Sequence, residues 1–279
     1  MKPRTSVFLI LFLAAPRVLF AQAHESSISD ALFSHIENGR TIELFPFLPV
    51  INLPAGMTVH QFMLILSVVL IYTVYAIVFR TPTVRPRKTA IALESVLLFV
   101  RDDIVYPIMG PERGRRWLSF FSTLFLFLLV VNFLGLIPAF KTATGNINVT
   151  SAMALMVFAL MIVVGIREIG IGRFFRNFYP EDTALPIGLF VALLEFLGFF
   201  IKAIVLSLRI FANMFAGHLA ILSFIALIFV LSPFFAVVSI PFALFTYLLE
   251  VLVALIQALV FTLLSCIFIA QASSVHGEE

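Results

Sequence analysis

One stretch, residues 187–232, constrains this chain more than any other feature. It contains no proline and is almost wholly apolar over 46 residues. As one α-helix it would be about 69 Å long, over twice the roughly 30 Å of a bilayer's hydrocarbon core. Yet Arg209 sits in its middle. An arginine stays protonated at any working pH, and in hydrocarbon it needs something to meet its charge. Two readings compete. The run is either two short spans with Lys202 or Arg209 at a turn, or one long tilted helix. No Pro, Gly-Gly or Asn-Gly interrupts it near Arg209, and Gly198 and Gly217 are isolated. The pattern predicts the single helix.

Composition sets the class. The chain is 62% hydrophobic and 12% charged, with mean hydropathy +1.12. A soluble domain carries about twice that charge. Too little polar surface exists to cover a water-exposed globule, so an all-α polytopic membrane protein is expected. The net charge of +3 is no nucleic-acid signal. Cys266 is the only cysteine, which excludes an intrachain disulfide and fits a small buried hydrophobe.

The charges order the chain. Residues 1–23 read as a signal peptide. Lys2 and Arg4 form a positive start, Val7 to Ala15 an apolar core, and Ala21-Gln22-Ala23 a cleavage site. An uncleaved anchor is the alternative. Residues 24–58 are acidic and broken by Pro46, Pro49, Pro54 and Gly56, as expected of an extracytoplasmic, non-spanning segment. The membrane domain then covers 59–279, with spans at about 59–79, 118–138, 149–166, 187–232 and 241–272. The last is expected to start at Pro241, a good first helical position.

Between the first two spans lie eight cations: Arg80, Arg85, Arg87, Lys88, Arg101, Arg113, Arg115 and Arg116. They mark that loop as cytoplasmic, as do Arg167, Arg173 and Arg176 further on. Within the loop, Ile91, Leu93, Val96, Leu97 and Val100 mix with Glu94, Arg101, Asp102 and Asp103. That mixture predicts an amphipathic helix at the membrane surface. The mature N-terminus is then outside, the C-terminus is cytoplasmic, and the signal favours a bacterial plasma membrane.

The remaining polar residues are few and patterned. Glu195, Lys202 and Arg209 recur every seven residues and drift only about 40° over two heptads. Asn213 joins their face, near the small residues Ala212, Ala216, Gly217 and Ala220. Small residues allow close helix approach in lipid. His218 is nine residues past Arg209, half a turn away. On the last helix, Glu250, Ala254, Gln257, Ala258 and Ser265 make a second polar and small stripe.

His218 and Glu250 suit a proton relay, because environment tunes both near neutrality. One His and one Glu are too few ligands for a metal site. Each residue also has a plainer reading. Glu195 and Lys202 can form an interfacial pair, and His218 can be a packing residue. Asn148-Val149-Thr150 matches a glycosylation acceptor, but a helix cap on the third span explains it better.

The run Ser207-Leu-Arg-Ile-Phe-Ala-Asn-Met-Phe-Ala-Gly-His218 closely resembles the signature of subunit a of F-type ATP synthases. In order, Asn132-Phe-Leu-Gly-Leu-Ile-Pro138, Thr144-Gly-Asn-Ile-Asn-Val-Thr150, and Glu250 with Gln257 resemble other parts of that family. The first 30 or so mature residues match least.

The resemblance implies a non-catalytic stator subunit beside a rotating c-subunit ring. The b-subunit stalk and the remaining ATP synthase subunits would be its other partners, and no cofactor is implied. Arg209 would face the ring's carboxylate, flanked by Asn213 and Gln257. His218 and Glu250 would form the acid–imidazole pair of the inlet half-channel. Glu195 would lie toward the cytoplasmic exit, while Asn132 and Asn148 would line the outer path. Two positions depart from the pattern: Ala203, where many members have Pro, and Val205, where some have Ser. A stand-alone secondary transporter or ion channel is the competing function. It lacks support from paired halves with matching broken helices. No phosphate-binding Gly-rich loop occurs, so nucleotide chemistry is expected in partner chains.

Overall fold

The computed structural model describes residues 41–42, 51–53, 57–80, 88–137, 140, 142–176, 178–179, 185–230 and 232–272. The expected signal segment 1–23, most of 24–58 and the tail 273–279 lie outside the described residues. Five helices are long and apolar enough to cross a membrane. Apart from a two-residue antiparallel pair, β1 (Thr41–Ile42) with β2 (Ile51–Asn52), the described elements are helical.

Helix α1 (Val59–Val78) opens with a capping box. The Gln61 N–H donates to Thr58 Oγ1 at 3.4 Å, and the Thr58 N–H donates to Gln61 Oε1 at 3.0 Å. Two orphan donors of the first turn are thereby satisfied. Val59 and Met63 pack with Val131 and Ala143, while Val68, Val69 and Tyr72 face outward, as lipid contact requires.

The second span differs from its sequence reading. Helix α2 (Lys88–Phe99) continues through a π-helical turn, Val100–Val105, into α3 (Tyr106–Leu136). The π turn buries Val100, Ile104 and Val105 in the bundle and leaves Asp102 and Asp103 exposed. Part of the expected surface helix is therefore core. The chain breaks instead at Gly110, where φ is 74° and ψ 164°, a conformation open to glycine. Pro111 follows, where a new helical stretch does not need its N–H.

Helix α4 (Ile147–Ile169) is capped by Asn146, not Asn148. The Asn148 N–H donates to Asn146 Oδ1 at 2.9 Å. Gly170 at φ 89° ends it, and a short helix the sequence reading missed, α5 (Ile171–Arg176), follows. An ion pair between Arg113 and Glu168 ties α3 to the end of α4.

The two long helices dominate. Helix α6 (Leu185–Val230) is a single helix of 46 residues, so the hairpin reading fails. Helix α7 (Ala236–Ala272) runs for 37 residues and starts five residues before Pro241. Pro241 is inside the helix, contrary to expectation. Its missing N–H removes the bond to the carbonyl of Val237, an exposed residue in the first turn, so the break is tolerated there. Helix α7 packs against α3, α4 and α6, and α6 also packs against α4. Phe121, Leu128, Met161, Leu206, Ile210, Phe261, Cys266 and Ile269 fill the core between them.

Candidate functional site

The side chains singled out by spacing mostly find partners on α7. His218 Nδ1 lies 2.5 Å from Glu250 Oε1. Glu250 is only 5% exposed. Gly217 makes room for it: a Cβ there would sit 2.8 Å from Glu250 Oε1. The other imidazole nitrogen, Nε2, is 3.1 Å from the carbonyl oxygen of Gly135, at the end of α3. The pair therefore joins three helices. One proton shared between a carboxyl and an imidazole can move without either group being left as a bare charge in low dielectric.

One turn and more away, Asn213 Nδ2 donates to Gln257 Oε1 at 2.9 Å. Gln257 is buried, and its Nε2 has no partner among the described residues. Lys202 Nζ donates to Gln271 Oε1 at 3.1 Å and lies over the rings of Phe199 and Phe268. The Glu195–Lys202 ion pair that their spacing permits is not formed, and Glu195 makes no hydrogen bond among the described residues.

Arg209 is different. It is half-buried, and among the described residues no carboxylate pairs with it. Its helix face is continued by Val205, Ala212, Asn213 and Ala216, all exposed. Leu206, Ile210 and Met214, on the adjacent face, are buried against the rest of the bundle. The guanidinium thus stands at the edge of the packed face, beside an exposed strip that includes Ala212 and Ala216.

Asn132 is fully buried in α3. Its Nδ2 donates to the Ala254 carbonyl at 3.3 Å, and its Oδ1 accepts from Thr144 Oγ1 at 3.1 Å. Ala254 is one turn from Glu250, so Asn132 holds α3 against α7 beside the pair. Asn148 does not join this network. It is exposed, at the polar end of a cavity of about 600 Å³ between α1, α3 and α4, with Thr58, His60, Gln61 and Asn146.

Helical spacing does not single out Thr142, Thr144 or the hydroxyl cluster Thr150, Ser151 and Ser207. Ser207 Oγ donates to Thr150 Oγ1 at 3.2 Å and lies 3.1 Å from Ser151 Oγ. Their signal was present as two hydroxyls in one α4 turn and one on α6, in otherwise apolar spans.

The chain is similar in sequence to known proteins. The family model described as "ATP synthase A chain" matches residues 61–270. The chain belongs to the ATP synthase subunit a family. ATP synthase subunit a of Pelodictyon phaeoclathratiforme is 33% identical over 293 residues, covering 99% of this chain and 86% of that protein. The Chloroherpeton thalassium protein of the same name is 36% identical over 272 residues, covering 92% and 80%. That of Chlorobium phaeobacteroides is 34% identical over 279 residues, covering 95% and 81%. As a subunit a family member, the chain is a multi-pass, proton-translocating membrane subunit that works within the ATP synthase complex. Nothing favours the stand-alone transporter.

Proposed function

We propose that this chain is the stator of a rotary proton translocator, with Arg209 as the fixed charge between two half-channels. The observation that carries the reading is the state of Arg209. His218, Glu250, Asn213, Gln257, Lys202 and Asn132 all bond within the chain. Arg209, the permanent cation on the same helix, pairs with no carboxylate among the described residues and stands beside the exposed Val205, Ala212, Asn213 and Ala216. A carboxylate on a rotating c ring is the partner of matching chemistry.

The energetics suit a moving contact. Two charges about 4 Å apart attract by around 4 kcal/mol at an effective dielectric near 20. A transmembrane potential supplies about 2.3 kcal/mol per elementary charge per 100 mV. The two are of one order, so the contact holds a carboxylate without trapping it. A buried lysine can lose its proton and an arginine essentially cannot, which suits a permanent barrier to free protons.

Protons reach the ring from outside through the His218–Glu250 pair, with Asn132 and Asn148 along the outer path. They leave toward the cytoplasm past Glu195 and Lys202. Asn213 and Gln257 hold the two long helices together beside Arg209. On this reading residues 1–23 are a signal peptide and 24–58 are extracytoplasmic. The membrane domain is fixed by a b-subunit stalk in a bacterial plasma membrane, and ATP is handled in partner chains.

The test is Arg209→Ala in the intact complex. Inverted membrane vesicles should assemble the complex yet show no ATP-driven acidification. Near-normal pumping would end the reading.

A further inference from the structure

Gly135 stands out among the residues near the pair because its contribution is a backbone carbonyl. It lies in the last turn of α3, where helix carbonyls run out of intrahelical donors. Nearby groups find partners: the Ile137 N–H bonds the Leu134 carbonyl at 3.2 Å, and the Phe140 N–H bonds the Ile137 carbonyl at 2.8 Å. The Gly135 oxygen meets His218 Nε2 at 3.1 Å.

A carbonyl oxygen can only accept, so the nitrogen facing it carries the hydrogen. Nδ1, 2.5 Å from Glu250 Oε1, is the ring's other nitrogen, and the Met214 carbonyl also lies beside the ring. We propose that the Gly135 carbonyl fixes His218 as its Nε2–H form, so that the pair holds one exchangeable proton, between Nδ1 and Oε1. The inference rests on the proton-path reading above and specifies how its inlet pair works.

The proton count is simple. With the exchangeable proton present, the pair is either a carboxylic acid beside a neutral ring or a carboxylate beside an imidazolium. Both are neutral overall, and Nε2–H is unchanged between them. Without that proton, a carboxylate faces a neutral ring and the pair carries one negative charge. The imidazole therefore does not pass a proton in at one nitrogen and out at the other. To do so it must first break from Gly135. The end of a helix also favours a nearby cation, which stabilises the imidazolium form.

The carbonyl is itself held in place. A Cβ on Gly135 would lie 2.6 Å from Thr142 Oγ1, 2.9 Å from Thr142 Cβ and 3.3 Å from Thr142 Cα. The loop after α3 thus closes directly over this glycine. Thr142 Oγ1 is 3.4 Å from Thr144 Oγ1, which donates to Asn132, which in turn bonds α7. Gly135, with Thr142 fitted against it, is a positioning residue for His218.

The test uses the whole ATP synthase, labelled with ¹⁵N-histidine and reconstituted in liposomes. Solid-state NMR reads the two ring nitrogens of His218, whose signals are identified by their loss in a His218→Gln complex. Nε2 should be protonated in every state, with only Nδ1 changing. A bare Nε2, or a mixture of the two neutral forms in the unaltered complex, overturns the inference.

Gly135→Ala should push the turn away from Thr142, release the ring to both neutral forms, and slow proton pumping by at least about tenfold, the loss expected for one hydrogen bond to a charged group. Adding Thr142→Gly removes the two nearest obstructions and should restore both the tautomer and the pumping. If Gly135→Ala slows pumping while Nε2–H stays fixed, the positioning role is refuted. Failure of the underlying reading looks different: Glu250→Gln would then pump normally, whatever the nitrogen spectrum of His218.

Discussion

Gly217→Ala is the sharpest perturbation of the inlet pair, because it adds one methyl group at a known distance. The new Cβ would lie 2.8 Å from Glu250 Oε1, 2.9 Å from Cδ and 3.2 Å from Cγ, against an ordinary lower limit of 3.4 Å. Oε1 must therefore retreat by 0.6 Å (3.4 − 2.8). The obstructed atoms are the end of a flexible side chain, so the helices need not move and the complex should assemble. The hydrogen bond to His218, now 2.5 Å, takes the strain. Bonds to charged groups contribute about 1.5–3 kcal/mol. At about 1.4 kcal/mol per decade, proton flux should fall by roughly 10- to 150-fold. The assay is ATP-driven acidification in inverted vesicles, normalised to the amount of assembled complex. Adding Glu250→Asp shortens the carboxylate away from the methyl and should recover part of the loss. Wild-type flux in the Gly217→Ala complex would refute the reasoning, because the carboxyl would then not rest against residue 217.

Two further outcomes follow from the same geometry. Exchanging the pair, His218→Glu with Glu250→His, should restore part of the flux that either single change to Gln removes. If the double exchange is no better than the worse single variant, the two residues do not act as a pair. Gly165→Ala should act on stability instead. Its Cβ would meet Phe174 Cε2 at 2.5 Å and the backbone oxygen of Ala272 at 2.8 Å, and the latter cannot swing away. Overpacking of this kind costs about 1–3 kcal/mol, so less of the subunit should accumulate in membranes, as read by immunoblot. Unchanged abundance would count against the close approach of α4, α5 and the end of α7.

The sequence was most informative where a long pattern was uninterrupted. The missing breaker around Arg209 correctly predicted one helix over Leu185–Val230. It was least informative at ends and bends. Pro241 reads equally well as a first helical residue or as a tolerated interior one. The choice depends on what precedes it, here the 3₁₀ turn Pro233–Phe235. The π turn at Val100–Val105 was hidden because its charges, Arg101, Asp102 and Asp103, suggested a surface helix. The buried Val100, Ile104 and Val105 face the other way.

The polar stripe on α6 was legible as spacing, but its partners were not. Lys202 reaches Gln271, 69 residues on, rather than Glu195, seven residues back. Helical periodicity reports which residues share a face, not which helix covers it. The contacts of Thr142, Thr144 and the Gly135 carbonyl were not legible for another reason. Loop hydroxyls and backbone oxygens gain their roles only when another helix is brought against them.

The central claim is that the open strip beside Arg209 faces a carboxylate-bearing ring. Disulfide cross-linking tests it most directly. Single cysteines at Val205, Ala212 and Ala216, with Cys266 replaced by Ser, would be paired with a cysteine one turn from the c subunit's carboxylate in the assembled complex. The account predicts cross-links from all three positions, and none from Val68 or Tyr72 on the outer face of α1. Cross-links from α1 and none from the strip beside Arg209 would contradict it.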